Sequence, residues 1–124
     1  MQIGLLEDDT AIQEMIRLVL LDAGYNVTVY ANAEECLNQL FTAAQQQQAS
    51  PLNLLIVDWR LSGSVPGTEV IRQLRANDTY SSLPIILTTA ATFNDADALR
   101  DMHIVLLEKP FAVDEVVNLI KSLV

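Results

Sequence analysis

Four groups of reactive side chains stand far apart along the chain: Glu7-Asp8-Asp9, Asp58, Thr88-Thr89 and Glu108-Lys109. Carboxylates brought together repel one another. At ~4 Å and an effective dielectric near 20, each pair costs about 4 kcal/mol. Either an ammonium, here Lys109, or a divalent cation must offset that cost. A site built from one or two carboxylates plus water offers only oxygen ligands. Such a site suits Mg²⁺, which keeps part of its hydration shell and accepts a phosphate oxygen readily. An aspartate held there can act as a nucleophile toward phosphorus and form an acyl phosphate. The cation and Lys109 would stabilise charge on the transferring oxygens. A hydroxyl on a neighbouring strand could then donate a hydrogen bond to the new phosphoryl group.

These residues converge only if the intervening chain folds to bring them together. Each group stands at the end of a short apolar run, the expected strands being Gln2–Leu6, Asn53–Val57, Ile85–Thr88 and Ile104–Leu107. A further strand, Val27–Tyr30, ends without reactive groups in Tyr30-Ala31. Leu54-Leu55-Ile56-Val57 is apolar without alternation, the pattern of a parallel strand covered on both faces. Amphipathic stretches alternate with the strands. In the first helix Ile12, Met15, Ile16, Val19 and Leu20 follow at helical spacing, with Thr10 and Gln13 as a capping-box pair and Gly24 as terminator.

A second helix starts at Asn32, with Glu35 three residues on, and fades into Gln45-Gln46-Gln47-Gln48, a frayed end leading to a solvated loop. A third helix carries Val70, Ile71 and Leu74. A weak fourth lies around Asp95–Met102, and the last uses Val113, Val116, Val117, Ile120 and Leu123. Such alternation predicts a doubly wound parallel sheet, and right-handed crossovers make it a three-layer α/β/α structure. Ligands of such sheets bind outside the carboxyl ends of the strands, where the reactive groups fall.

Composition excludes other classes. The 124 residues suffice for one domain with a real core, and 51% are hydrophobic. Sixteen acidic residues against seven basic ones give a net charge of −9, which repels phosphate backbones and argues against direct nucleic-acid binding. The single cysteine, Cys36, cannot close an internal disulfide. The start of the chain lacks a basic lead, so no signal peptide is expected, and no apolar run approaches the ~20 residues of a membrane span. A cytoplasmic protein, away from membranes, is the expectation.

Leu5-Leu6-Glu7-Asp8-Asp9, Leu55-Ile56-Val57-Asp58 with Gly63 and Gly67 after it, Pro84-Ile85-Ile86-Leu87-Thr88-Thr89-Ala90, and Lys109-Pro110-Phe111 resemble the receiver domains of two-component response regulators. The likeness spans residues 1–124, and four motifs in register at strand ends make it specific. It implies a flavodoxin-like sheet of order 2-1-3-4-5. It also implies a phosphorelay switch, not a turnover enzyme, with Mg²⁺ or Mn²⁺ as cofactor.

By position, the resemblance makes Asp58 the phosphoacceptor. Asp8 becomes the direct metal ligand, Glu7 the acid acting through water, and the Arg60 carbonyl a further ligand. Thr89 falls at the switch hydroxyl and Lys109 at the family's lysine, with a cis bond to Pro110 expected. The implied partners are a histidine kinase or histidine phosphotransfer protein, an unidentified downstream effector and, optionally, a second copy. The fourth-helix, fifth-strand and fifth-helix face would report the change. Three departures stand out. Leu106 replaces the usual aromatic partner of the switch threonine. Ser62 replaces a common proline in a loop one residue longer before Gly67. Thr89 to Lys109 is about two residues short.

Simpler roles suit the remaining residues. Asp9 flanks the helix start, Thr88 is an ordinary β-branched strand residue, and Cys36 packs in the core. Trp59 covers the rim of the site or the sheet end, and His103 is a surface or helix-end residue. A phosphatase of the haloacid-dehalogenase kind would need a D-x-D nucleophile pattern after the first strand, where Asp8 and Asp9 are adjacent. A degenerate receiver that binds partners without phosphorylation would draw on Leu106 but not on the intact acids.

Overall fold

A computed structural model describes residues 1–47, 50–59, 66–90, 104–109 and 111–123, with the side chains of residues 47, 90, 109 and 113 left aside. Five strands form one sheet: β1 (Gln2–Leu6), β2 (Asn26–Tyr30), β3 (Leu54–Asp58), β4 (Ile85–Ala90) and β5 (Val105–Lys109). All pairings are parallel and the order is β2-β1-β3-β4-β5, as expected. The described helices are α1 (Thr10–Asp22), α2 (Ala33–Gln47), α3 (Gly67–Arg75) and a last helix, Val113–Leu123. The expected fourth helix, around 95–102, lies outside the described residues, and so does His103.

The apolar run of β3 is explained by what covers it. Leu54 and Ile56 join Ile3, Leu5, Ile16, Leu20, Ile86, Leu107, Val116 and Ile120 in a core under α1 and the last helix. Leu55 and Val57 point the other way, into a core with Leu40, Val70, Ile71, Leu74, Tyr80 and Leu87 under α2 and α3. A strand buried on both faces has no polar side to alternate with. Each side chain so buried contributes about 1.5–3 kcal/mol, and β3 supplies four of them to the two cores. The three layers follow directly.

Helix ends agree with the sequence in part. Asn32 and Glu35 do form a cap: Asn32 Oδ1 accepts from the Glu35 N–H at 2.8 Å, and Glu35 Oε2 accepts from the Ala31 N–H at 3.1 Å. Gly24 closes α1 with φ 92°, a conformation that costs glycine little. The Thr10–Gln13 capping box does not form. Thr10 is already helical, and Asp9 is the cap, its Oδ1 accepting from the N–H groups of Ala11 at 2.9 Å and Ile12 at 3.1 Å. A carboxylate satisfies these donors better than a hydroxyl because the helix start is partly positive. Gln13 turns its amide elsewhere, onto the Glu7 carbonyl at 2.9 Å. Helix α2 continues through Gln47, so Gln45 and Gln46 are exposed helical residues, in line with the helix end expected there.

Strands β3, β4 and β5 run past their expected ends, to Asp58, Ala90 and Lys109. The ladder carries them there. Asp58 pairs with Thr88, the Trp59 N–H donates to the Thr88 carbonyl at 2.9 Å, and Lys109 pairs with Ala90. Reactive residues therefore stand on the last rungs of the sheet. Apolar periodicity misses them because their side chains are polar.

Candidate functional site

The carboxyl edge of the sheet gathers the acids. Leu6 pairs with Val57, so Glu7 and Asp58, each the next residue, leave the central strands at the same level. Glu7, Asp8 and Asp58 each present a carboxylate oxygen, and these three oxygens lie within 4.8 Å of one another. Glu7 is 1% exposed and Asp58 5%, while Asp8 is half-buried. At that separation, with an effective dielectric near 20, each ionised pair costs about 3 kcal/mol. Burial of two of the three removes water that would screen them. An all-oxygen, strongly negative, partly open cluster is what a hard divalent cation fits.

Local bonds set this geometry. The turn after β1 is held at three points: the Asp9 N–H donates to Glu7 Oε1 at 3.2 Å, Gln13 Nε2 donates to the Glu7 carbonyl at 2.9 Å, and the Gln13 N–H donates to the Asp9 carbonyl at 2.8 Å. At the end of β3, Gly67 backs directly onto Asp58. A Cβ on Gly67 would stand 2.3 Å from the Asp58 carbonyl oxygen. Only a residue without a side chain allows α3 to start this close to the strand.

Thr89 is 2% exposed on β4, one residue beyond the partner of Asp58. Thr88 behaves as a strand residue, its hydroxyl donating at 3.5 Å to the Val57 carbonyl. Trp59 is half-buried and packs against the core beneath α2 and α3. The backbone of Lys109 ends β5 on the same edge, but its side chain is outside the described set, as are Pro110, the Arg60 carbonyl and Ser62. Leu106, 38% exposed, sits opposite Leu87 on β5. Sequence reasoning missed the bond from Gln13 to Glu7, the capping role of Asp9 and the close approach at Gly67. The last was hinted at only by a glycine at a helix start.

With this geometry in hand, the decisive comparison is the family model for the response regulator receiver domain, which matches residues 3–121. The chain belongs to that family. It is a receiver domain, a phosphoryl-accepting switch of two-component signalling. It is 30% identical over 123 residues to a protein of Porphyra purpurea named as a transcriptional regulator, ycf29, covering 97% of this chain and 54% of that protein. It is 29% identical to the phosphate regulon regulator PhoB of Pseudomonas aeruginosa, covering 95% of this chain and 49% of PhoB. The receiver thus spans about half the length of these curated relatives.

Among solved structures, a response regulator of Chloroflexus aurantiacus is 30% identical with a TM-score of 0.84, covering 98% of this chain and 95% of that one. The receiver domain of the sensor histidine kinase PA1611 of Pseudomonas aeruginosa is 28% identical with a TM-score of 0.78, covering 98% and 94%. That structure carries a magnesium ion in its active-site cleft. Receivers bind Mg²⁺ in an acidic pocket, and this one has such a pocket in Glu7, Asp8 and Asp58. Receivers of response regulators interact with histidine kinases or phosphotransfer proteins. No described helix is long and apolar enough to cross a membrane.

Proposed function

We propose that residues 1–124 form one cytoplasmic receiver unit in which Asp58 takes a phosphoryl group from a phosphohistidine donor, with Mg²⁺ or Mn²⁺ held by Glu7, Asp8 and Asp58. The observation that carries this is the gathering of three carboxylate oxygens within 4.8 Å at the carboxyl edge of the sheet. Asp8 serves as direct ligand, Glu7 through water, and the Arg60 carbonyl completes the protein's donors. The cation, when bound, offsets the repulsion among the acids and stabilises negative charge on the incoming phosphoryl oxygens.

In the transfer itself, a carboxylate oxygen of Asp58 attacks phosphorus and the P–N bond to the donor imidazole breaks. The electron pair stays on the imidazole nitrogen, which takes up a proton from solvent. Lys109 contributes positive charge toward the phosphoryl oxygens, and Thr89 donates its hydroxyl to one of them. The movement of Thr89 reaches the partner surface through β5 and the last helix, the described part of the face expected to report the change. With Leu106 where the family has an aromatic ring, this relay runs without ring rotation. Activity is limited to phosphorylation and dephosphorylation at Asp58, and nucleic acid is not bound directly.

Intact-protein mass spectrometry after incubation with acetyl phosphate and Mg²⁺ tests the proposal. Wild type gains one phosphoryl mass and Asp58→Asn gains none. No gain in wild type, or an equal gain in the variant, overturns it.

A further inference from the structure

The acids of the pocket are not held by the strand alone. Glu7 lies just past the end of β1 and Asp8 just before the cap of α1, in the turn that joins the two elements. Mutual repulsion among three carboxylates pushes this turn outward. One restraint on it is a side chain one helical turn away. Gln13 is half-buried on α1, and its Nε2 donates to the Glu7 carbonyl at 2.9 Å while its own N–H donates to the Asp9 carbonyl at 2.8 Å. The Asp9 N–H in turn donates to Glu7 Oε1 at 3.2 Å. Three hydrogen bonds therefore close a ring from Glu7 through Asp9 to Gln13 and back. Gln13 supplies two of them, one from its backbone and one from its side chain. The backbone bond belongs to the helix and survives any substitution except proline. The amide bond to Glu7 belongs to glutamine.

We propose that Gln13 is a positioning residue for the divalent cation, clamping the Glu7–Asp8 turn so that both carboxylates stay within coordinating reach of Asp58. This rests on the cation-site assignment made above and adds a residue outside the acid cluster. The physical argument is preorganisation. A carbonyl bonded to a side chain on a rigid helix cannot rotate without breaking that bond, and the peptide plane between Glu7 and Asp8 is thereby fixed. Without the clamp, the turn relaxes away from the third acid in the cation-free state. Binding must then reassemble the cluster at the expense of affinity. Groups that orient metal ligands without touching the metal change affinity by roughly 10–100-fold when removed.

The test is a Mn²⁺ titration of the intact chain, read as loss of the free-ion paramagnetic resonance signal, so no phosphorylation is needed. Gln13→Ala deletes the clamp, and Gln13→Met keeps the length of the side chain without a donor. Both are expected to bind Mn²⁺ about 10-fold more weakly than wild type. Arg17→Ala, on the same helix but paired with Glu14, should match wild type. A merely structural role for Gln13 would lower the urea midpoint and leave the Mn²⁺ affinity unchanged, and that result overturns the inference. If Gln13→Ala fails to fold by circular dichroism, Gln13→Met decides by the same measurement. Absence of saturable Mn²⁺ binding in wild type would instead overturn the cation site itself, and this inference with it. Saturable binding that is equal in wild type and both Gln13 variants refutes the clamp alone.

Discussion

Replacing Gly67 with alanine separates two opposite forces acting on the same atom. Gly67 is the first residue of α3, and its φ lies outside the left-handed region, so backbone freedom is not why glycine stands there. On propensity alone, alanine in a helix is favoured over glycine by up to about 1 kcal/mol. The structure predicts the reverse sign. A Cβ at this position would stand 2.3 Å from the Asp58 carbonyl oxygen, 3.2 Å from its carbon and 3.1 Å from Val57 Cγ1. The nearest atoms are backbone on a central strand bonded on both sides, so they cannot swing away as a side-chain tip would.

Relief requires α3 to shift by about an ångström or Asp58 to move off its rung, and overpacking of this kind costs about 1–3 kcal/mol. For a chain of this size that lowers the thermal midpoint by roughly 4–12 °C. Urea unfolding monitored by circular dichroism measures the stability, and Mg²⁺-dependent phosphorylation by acetyl phosphate reports whether Asp58 has moved. Gly67→Ala should lose on both counts. A variant as stable as wild type, or more stable, would refute the argument that α3 is seated directly on the phosphoacceptor strand.

Other consequences can be checked independently. Asp58→Asn removes one of three mutually repelling carboxylates and should unfold at higher urea than wild type in EDTA, by about 1–3 kcal/mol; Mg²⁺ should narrow the gap, and an unchanged midpoint in EDTA would mean that the acids do not strain one another. Tyr80→Phe removes the hydroxyl that donates to the Leu40 carbonyl inside the α2–α3 core and should cost about 1–2 kcal/mol in denaturant unfolding. Burial, then the nearby Glu35 charge, pushes the Cys36 thiol up to about 12 from an ordinary 9.0. The folded state thus favours the protonated thiol. Its contribution is fully present below about pH 9 and is lost as pH rises toward about 12, so unfolding midpoints should fall over that window less steeply in Cys36→Ala. The same burial should leave Cys36 unreactive toward a thiol reagent at pH 8 until urea unfolds the chain.

Much of this was legible because physical signals coincided. Leu54 to Val57 announced a strand covered on both sides, and two separate cores meet it there. Glu7, Asp8 and Asp58 could be assigned to one site because parallel strands deliver their carboxyl ends to one edge, whatever the distance in sequence. Hydrogen-bond direction was less legible. Thr10, Asp9 and Gln13 are all competent cappers, and only the geometry of the turn shows that Asp9 wins and frees Gln13 for Glu7. Tyr80 lies between α3 and β4 among turn-forming polar residues, with no apolar periodicity to mark it as core. The strand ends that carry Asp58, Thr89 and Lys109 escape apolar periodicity because the pattern that marks strands is apolar and these residues are polar.

The most direct measurement on the central claim is chemical trapping of the acyl phosphate. After incubation with acetyl phosphate and Mg²⁺, borohydride reduction converts a phosphorylated aspartate to a stable alcohol that peptide mapping can locate. Reduction is expected at Asp58 alone, abolished by EDTA. Reduction at another carboxylate, or an equal yield at Asp58 without a divalent cation, would contradict it.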